Sequence, residues 1–322
     1  MTSPALLVTG SSGLIGSEVA AHFDTRGWHV HGVDNNQRAV FFGPAGDTRW
    51  NQARLASSLR SFTHHELDIR DRDSVLRLVA EIKPAAIVHT AAQPSHDRAA
   101  AIPFDDFDTN AVGTLNLLEA ALAAGVRHFL LASTAVVYGP TGPSRVDEEH
   151  PCHPERSTIG GPVYGLTKLA CEQLCLAYQR LGLPVTIFRM HGVFSQGRLG
   201  QFGQMMEQAL AGQPVKAIQE AGGEYAHLED VLRAFLLAMG NPQAHGEVFN
   251  LAGSYTYSDP DLARYIVGTA KSESQVELIE DSTQGMISVS VDKLRRRIGY
   301  EPERGEFMTE LIQSFLQGRN VE

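Results

Sequence analysis

Tyr164 and Lys168 are spaced for chemistry. They fall in Gly160-Gly161-Pro162-Val163-Tyr164-Gly165-Leu166-Thr167-Lys168, ahead of an apolar-periodic run from Leu169 to Leu181. Proline suits the first turn of a helix and glycine its end, so the pattern predicts a helix from near Pro162 to Gly182. Four residues apart on that helix, the phenol and the ammonium lie one turn above each other on one face. A phenol of ordinary pKa about 10 is a poor base at neutral pH, and a fixed cation nearby favours its ionised form. Such a pair can take a proton from an alcohol or return one. On an isolated helix the same spacing is usually a solvated face, so its meaning rests on the elements around it.

Those elements begin at the N-terminus. Ala5 to Thr9 reads as a buried strand, and Gly10-Ser11-Ser12-Gly13-Leu14-Ile15-Gly16 then opens a helical pattern that stops at Gly27. This is the glycine spacing of a phosphate-binding turn. Gly10 allows the bend, Gly13 lets backbone approach a pyrophosphate, and Gly16 permits close helix–strand packing. The helix N-terminus adds amide donors, including those near Ser12, Leu14 and Ile15. A second strand, His29 to Val33, runs into Asp34. A carboxylate there accepts hydrogen bonds from ribose hydroxyls and repels a 2′-phosphate, which favours NAD over NADP. Asn35 borders it, and Arg38 is close enough to bear on the same choice.

The strand–helix rhythm continues after a Gly/Pro-rich stretch, Phe41 to Asn51, that reads as a long loop. Phe62 to Leu67 and Ala86 to Thr90 read as strands, with Asp71 to Lys83 a helix between them. The alternation implies an α/β, Rossmann-like, doubly wound parallel sheet. Ligands sit beyond the strand C-termini in such sheets, which puts Asp68, Ala91, Ala92 and Gln93 on the pocket rim. Asp68 has a second reading as a helix cap. Pro103 to Ala124 reads as one long amphipathic helix with Asn110 inside it, an unfavourable place for an amide without a task. His128 to Ala132 is a further strand that leads to Ser133-Thr134, and a strand-end hydroxyl facing Tyr164 can bind the same substrate oxygen.

Composition excludes several classes. The 322 residues are 43% hydrophobic and 20% charged, which is ordinary for a globular protein of this size. A net charge of −10 with scattered basic residues argues against a nucleic-acid surface. No apolar run approaches the ~18 residues of a membrane span, and Met1 to Pro4 lacks the basic start of a signal peptide. A cytoplasmic protein is expected. Its three cysteines, Cys152, Cys171 and Cys175, fit a reducing compartment. Cys171 and Cys175 read as buried small hydrophobes rather than metal ligands, and no metal is expected.

Taken in order, Thr9-Gly10-x-x-Gly13-x-x-Gly16, Asp34, Asp68-Ile69, His89-Thr90-Ala91-Ala92, Asn110-x-x-Gly113-Thr114, Ser133-Thr134-x-x-Val137-Tyr138-Gly139 and Tyr164-x-x-x-Lys168 resemble the extended short-chain dehydrogenase/reductase family. That family comprises NAD-dependent sugar epimerases and dehydratases. Residues 34 to 120 look most like CDP-tyvelose (CDP-paratose) 2-epimerases, through Asp34 to Ala39, Phe41 to Pro44, Ala91 to Asp97 and Gly113 to Ala120. The resemblance implies that Gly10, Gly13, Leu14 and Ile15 hold the NAD pyrophosphate, Asp34 its ribose, and Asp68 and Ile69 its adenine. Ala91, Ala92 and Gln93 would line the nicotinamide end, and Asn110 would support it. Tyr164 would be the base and acid, with Lys168 lowering its pKa and holding the nicotinamide ribose. Thr134 would bind the reacting hydroxyl; Ser95, His96, Ala135 and His191 complete the expected substrate side. Residues 1–190 would form the NAD-binding domain and 191–322 mainly a substrate lobe, with about 225–252 returning to the first domain. Relatives pair two such helices into a dimer, so a homodimer built on Pro103–Ala124 and Val163–Leu181 is expected.

The C-terminal third departs from the pattern. Pro184 to Arg189 is the expected sixth strand, but Met190-His191-Gly192 follows where relatives often carry an asparagine. Gly223 and Glu224 stand where many carry an arginine that clamps the substrate diphosphate. A second arginine is missing near Met286, ahead of Asp292-Lys293-Leu294; Arg198 and Arg233 are the candidate replacements. The leading expectation is an NAD-dependent epimerase of a nucleotide-linked sugar. The runner-up is an oxidoreductase or dehydratase of the family acting on a smaller, non-nucleotide compound, and the third reading is an NAD-binding regulator. Thr134, Tyr164 and Lys168 together argue against the third.

Overall fold

The computed structural model describes residues 3–142, 144–157, 162–196, 200–280 and 285–319. Strands that are apolar at successive positions need cover on both faces, and β1 (Ala5–Thr9) shows how it is supplied. Leu6 and Val8 pack on one side with Val19, Ala20 and Phe23 of the helix Leu14–Asp24 and with Val231 and Phe235 of Leu228–Ala238. Leu7 packs on the other with Val75, Val79, Leu117 and Ala121. Burying each such side chain is worth about 1.5–3 kcal/mol, so the sheet is clamped from both faces.

Five more strands join β1: β4 (Ala86–His89), β5 (Phe129–Thr134) and β6 (Val185–Met190) are buried along their length, whereas β2 (His29–Asp34) is half-buried and β3 (Phe62–Glu66) is a polar edge strand. With Glu247–Leu251 they form one seven-stranded parallel sheet in the order Glu247–Leu251, β6, β5, β4, β1, β2, β3. This is the doubly wound α/β sheet expected from the sequence. The strand order reverses between β1 and β4, which opens a crevice beyond their C-terminal ends. A smaller cluster packs Phe202, Met206, Ala263, Ile266, Met308 and Ile312 in the C-terminal part, around the helices Gln201–Leu210, Asp259–Thr269 and Met308–Arg319. Among the described residues no helix is long and apolar enough to cross a membrane.

Two segments differ from their sequence reading. The stretch read as a loop from Phe41 to Asn51 contains the end of the helix Gln37–Phe42, a 3₁₀ turn at Gly43–Gly46 and the start of the helix Arg49–Ser58. Asn36 organises it from a left-handed conformation. Its side-chain oxygen accepts from the Thr48 amide at 2.9 Å and its amide donates to Asp47 at 3.0 Å, bonds that composition does not reveal. Pro103–Ala124 is one continuous helical run, as read, but not a uniform one. It divides into Pro103–Phe107, a π turn at Asp108–Val112, and Gly113–Ala124. Asn110, in the π turn, bonds to Gln93 and Thr167 on other elements, and a widened turn of this kind often marks a functional site.

Candidate active site

The turn after β1 is built so that backbone, not side chains, faces the crevice. Gly10 has φ +68°, its amide donates to the Val33 carbonyl at 2.8 Å, and a Cβ there would lie 2.8 Å from the Ala91 nitrogen. A Cβ on Gly16 would lie 2.2 Å from the Gly10 carbonyl oxygen, so the helix can close onto the turn only through glycine. Gly13 precedes that helix and has no side chain to cap it, which leaves its first-turn amides for a ligand.

Beyond this turn lies a groove of about 300 Å³. Its wall includes Gly10, Gly13, Leu14, Ile15 and Gly16 from the turn, Asp34, Asn35 and Arg38 after β2, Asp68 and Ile69 after β3, and Ala91 and Ala92 after β4. Asp34 accepts from the Ser12 amide at 3.0 Å and the Asn36 amide at 2.8 Å. Each carboxylate oxygen keeps lone-pair capacity for a sugar hydroxyl. Arg38 stacks its guanidinium 4.7 Å from the centre of the Phe42 ring. Asp68 accepts from both the backbone amide and the guanidinium of Arg70, and the cap of the next helix is Asp71, whose carboxylate takes the Ser74 amide. The cap reading of Asp68 is therefore corrected. Ser12, Gln93 and Asn110 are buried behind the wall rather than on it. The hydroxyl of Thr109, on the wall, is buried with no hydrogen-bond partner among the described residues. A glycine cradle, an acceptor carboxylate and an unsatisfied hydroxyl along one groove fit a dinucleotide.

The candidates Thr134, Tyr164 and Lys168 lie around the end of β5. Thr134 ends that strand, and its hydroxyl accepts from the Val136 amide at 3.2 Å, capping the 3₁₀ turn Ala135–Tyr138 in which Ala135 is wholly buried. Tyr164 sits in the first turn of the helix Pro162–Arg180 and packs in one buried cluster with Ala132, Ala135 and Val136. Lys168 lies one turn on and donates to the Ala132 carbonyl at 2.7 Å, fastening the helix to β5. From its spacing, Lys168 is expected to bring the tyrosine pKa down. The structure reverses that direction: burial pushes the Tyr164 phenol above its ordinary value, and Asp106 and Cys171 push the same way.

Asp106 was not legible as a site residue. Its carboxylate, fully buried, accepts from Gln93 Nε2 at 2.8 Å and from the Thr167 hydroxyl at 2.6 Å. Asn110 donates to Thr167 at 3.1 Å and accepts from the Gln93 amide at 2.9 Å, which closes a ring of four residues. A second missed pair is Glu172 and Arg189. Glu172 continues the Tyr164–Lys168 face by another four residues, and that spacing was the available signal. It takes Arg189 Nη2 at 2.8 Å and the Ser133 hydroxyl at 2.5 Å, while Arg189 Nη1 reaches the Tyr138 hydroxyl at 2.9 Å.

The substrate side is rebuilt relative to the resemblance. At Gly223, φ +146°, a Cβ would lie 2.2 Å from the Ile287 carbonyl oxygen and 2.3 Å from His191 Cε1. The His191 ring, 5.2 Å from that of Tyr225, thus occupies the space into which a side chain at 223 would start. Glu224 turns elsewhere and is buried; it accepts from Arg145 at 3.0 Å, Thr256 at 2.8 Å and the Val289 amide at 3.0 Å. Arg233 pairs with Glu303 and Asp230, which leaves it committed on the helix Leu228–Ala238. Arg198 and the Gly160-Gly161 pair lie outside the described residues. Ser95 caps the short helix His96–Ala101 through the Arg98 amide, and the side chain of His96 also lies outside the description.

Residues 6–252 match the NAD dependent epimerase/dehydratase family. A UDP-glucose 4-epimerase of Rhizobium meliloti (strain 1021) is 28% identical over 330 residues, covering 94% of each chain. A CDP-paratose 2-epimerase of Salmonella typhi is 29% identical over 279 residues, covering 79% of this chain and 80% of that one. The crystal structure of the Thermus thermophilus UDP-glucose 4-epimerase in complex with NAD superposes with a TM-score of 0.80 at 25% identity, covering 97% of this chain and 98% of that chain. With the glycine turn, the Asp34 carboxylate and the Tyr164–Lys168 helix assembled as described, the chain belongs to the NAD dependent epimerase/dehydratase family and is an enzyme of that family.

Proposed function

We propose that the protein is an NAD-dependent epimerase of a nucleotide-linked sugar, working through a transient keto sugar. The observation that carries this reading is the Lys168–Ala132 bond, which fastens the Tyr164 helix to the strand ending in Thr134. Bound NAD supplies reversible hydride acceptance. Tyr164, as phenolate, takes the proton of the sugar hydroxyl and later returns one to the opposite configuration. The Thr134 hydroxyl holds the reacting oxygen, and Lys168 keeps further N–H donors for the ribose beside it. Gly10, Gly13, Leu14 and Ile15 hold the pyrophosphate; Asp34, supported through Ser12, holds the adenosine ribose; Asp68 and Ile69 meet the adenine. Ala91, Ala92 and Gln93, with Asn110 behind them, shape the nicotinamide end, and Ser95, His96, Ala135 and His191 border the sugar. In this reading residues 1–190 serve the cofactor and 191–322 mainly the substrate, with the strand Glu247–Leu251 returned to the sheet.

The test is an absorbance assay of reduced cofactor with candidate nucleotide sugars. An epimerase converts substrate with only catalytic NAD and no net build-up of NADH. The side-chain-free position at Gly223 favours a second reading, an oxidoreductase or dehydratase acting on a smaller substrate. A net oxidoreductase would accumulate NADH mole for mole. On the cofactor side, Asp34→Ala is expected to weaken NAD by about tenfold and to relax selection against NADP, measured by titrating both. Unchanged preference would move the discrimination elsewhere.

The protein is read as a cytoplasmic homodimer. Phe104 is 85% exposed and Phe107 50%, while Leu166, on the tyrosine helix, is 47% exposed. Together with Leu115 they give the two long helical segments an apolar outer surface suited to a second copy. Light scattering at micromolar concentration is expected to give twice the chain mass. A monomer mass there excludes the dimer.

A further inference from the structure

The ring around Asp106 joins three segments that the reaction needs together. Gln93 follows the Ala91–Ala92 rim of the groove, Asn110 occupies the π turn, and Thr167 lies between Tyr164 and Lys168. We propose that Asp106 is a positioning residue for the reaction: its buried carboxylate closes the ring that locks the cofactor rim to the tyrosine helix, and its charge offsets that of Lys168 at Tyr164. The inference rests on the role given to Tyr164 above.

Hydrogen-bond geometry lets the carboxylate carry its charge. One oxygen takes the Gln93 amide and the other the Thr167 hydroxyl, and neither needs a proton on Asp106. Burial raises the Asp106 pKa above its ordinary value, opposed by the side-chain donors Thr167, Gln93 and Asn110 and by the Lys168 charge; in the alkaline range where a buried phenol titrates, the carboxyl has already ionised. Three further groups of the same region have settled states. Cys171 is a buried thiol that bonds the Asn110 carbonyl, and burial raises its pKa, so it stays neutral. His89, behind Lys168, is kept neutral by burial, with a pKa of about 3. Glu172 is taken up by Arg189. Among the described residues, Lys168, one turn along the helix, and Asp106, whose charge acts on the phenol, are opposed charges near Tyr164. A cation alone would make the phenolate a weak acceptor for the sugar's proton; the carboxylate restores its basicity so that one residue can act in both directions.

Asp106→Asn separates the charge from the ring. Its amide oxygen can keep the Gln93 bond and its nitrogen can donate to Thr167. The Thr167 hydroxyl proton then has the Tyr164 carbonyl, 3.1 Å away, as its acceptor. The ring is kept and the charge is lost. With NAD present, the phenolate absorbance assigned to Tyr164 by subtraction of a Tyr164→Phe background is expected to titrate about one pH unit lower in D106N. The rise of kcat/KM with pH is expected to move down equally. D106S, smaller and equally neutral, is expected to move both in the same direction and serves if D106N does not fold. A titration that coincides with wild type in either folded variant, whatever happens to thermal stability, leaves Asp106 a purely structural residue and overturns the proposal. If the wild type turned over no sugar, the epimerase reading would fall while the absorbance titration still decided this point.

Discussion

Tyr164→Phe is expected to lower turnover by roughly 10²–10⁴-fold while leaving NAD affinity within about a factor of two. The substitution deletes one oxygen and keeps the ring that packs with Ala132, Ala135 and Val136, so the helix start should hold its place. Lys168 remains fastened to Ala132, and the groove wall formed by the glycine turn and by Asp34 is untouched. What disappears is the group that exchanges a proton with the substrate. The loss should fall on kcat rather than KM if the phenol acts mainly in the transition state. Steady-state kinetics paired with a fluorescence titration of NAD measure both. A variant with full activity would remove Tyr164 from the chemistry and, with it, the functional role assigned to Lys168 and Asp106. The direction of the tyrosine pKa adds a pH signature. Because burial raises it, the active phenolate grows with pH, and wild-type activity should rise toward the alkaline side.

The features readable in the sequence were those encoded locally. The glycine turn, the run of buried strands and the four-residue spacing of Tyr164 and Lys168 are each set by neighbouring residues, and each was found where expected. Long-range partners were not readable. Nothing near Asp106 announces that Gln93, thirteen residues earlier, and Thr167, on another helix, will meet it. Weak helix formers at Thr109, Asn110 and Gly113 permit a widened turn in Pro103–Ala124, but the partners that fix it at Asn110 are distant in the chain. The tyrosine pKa shows the same limit. A cation one turn away is visible in the spacing, whereas the burial that outweighs it depends on β5 and the turn after Thr134. At Gly223 the sequence displayed a missing arginine, and only the structure showed His191 and the Ile287 carbonyl in its path.

Glu172→Ala should cause the largest loss of stability, about 3–5 kcal/mol. Glu172 is wholly buried, and it is the carboxylate that takes two nitrogens of Arg189, itself only 5% exposed. Removing it strands a guanidinium in the interior. The acceptors that remain, the Tyr138 hydroxyl, which itself donates to Asn250 at 2.8 Å, and the Glu148 carbonyl at 3.5 Å, are neutral and cannot neutralise a charge. The cost comes from the orphaned ion rather than from the pair's own strength, and this distinction can be measured. Arg189→Met in the Glu172→Ala background removes the stranded charge and is expected to recover a large part of the loss, a strong coupling in the double-mutant cycle. Denaturant unfolding of the four proteins supplies the cycle. A loss below about 1 kcal/mol in Glu172→Ala would mean that water reaches Arg189 and that the site is less dry than its burial implies. Activity should suffer as well, because Glu172 also accepts from Ser133, the neighbour of Thr134, and sits one turn beyond Lys168. The ion pair therefore holds β5, β6 and the tyrosine helix in register, and the precision of the proton-transfer geometry depends on an interaction that touches no substrate.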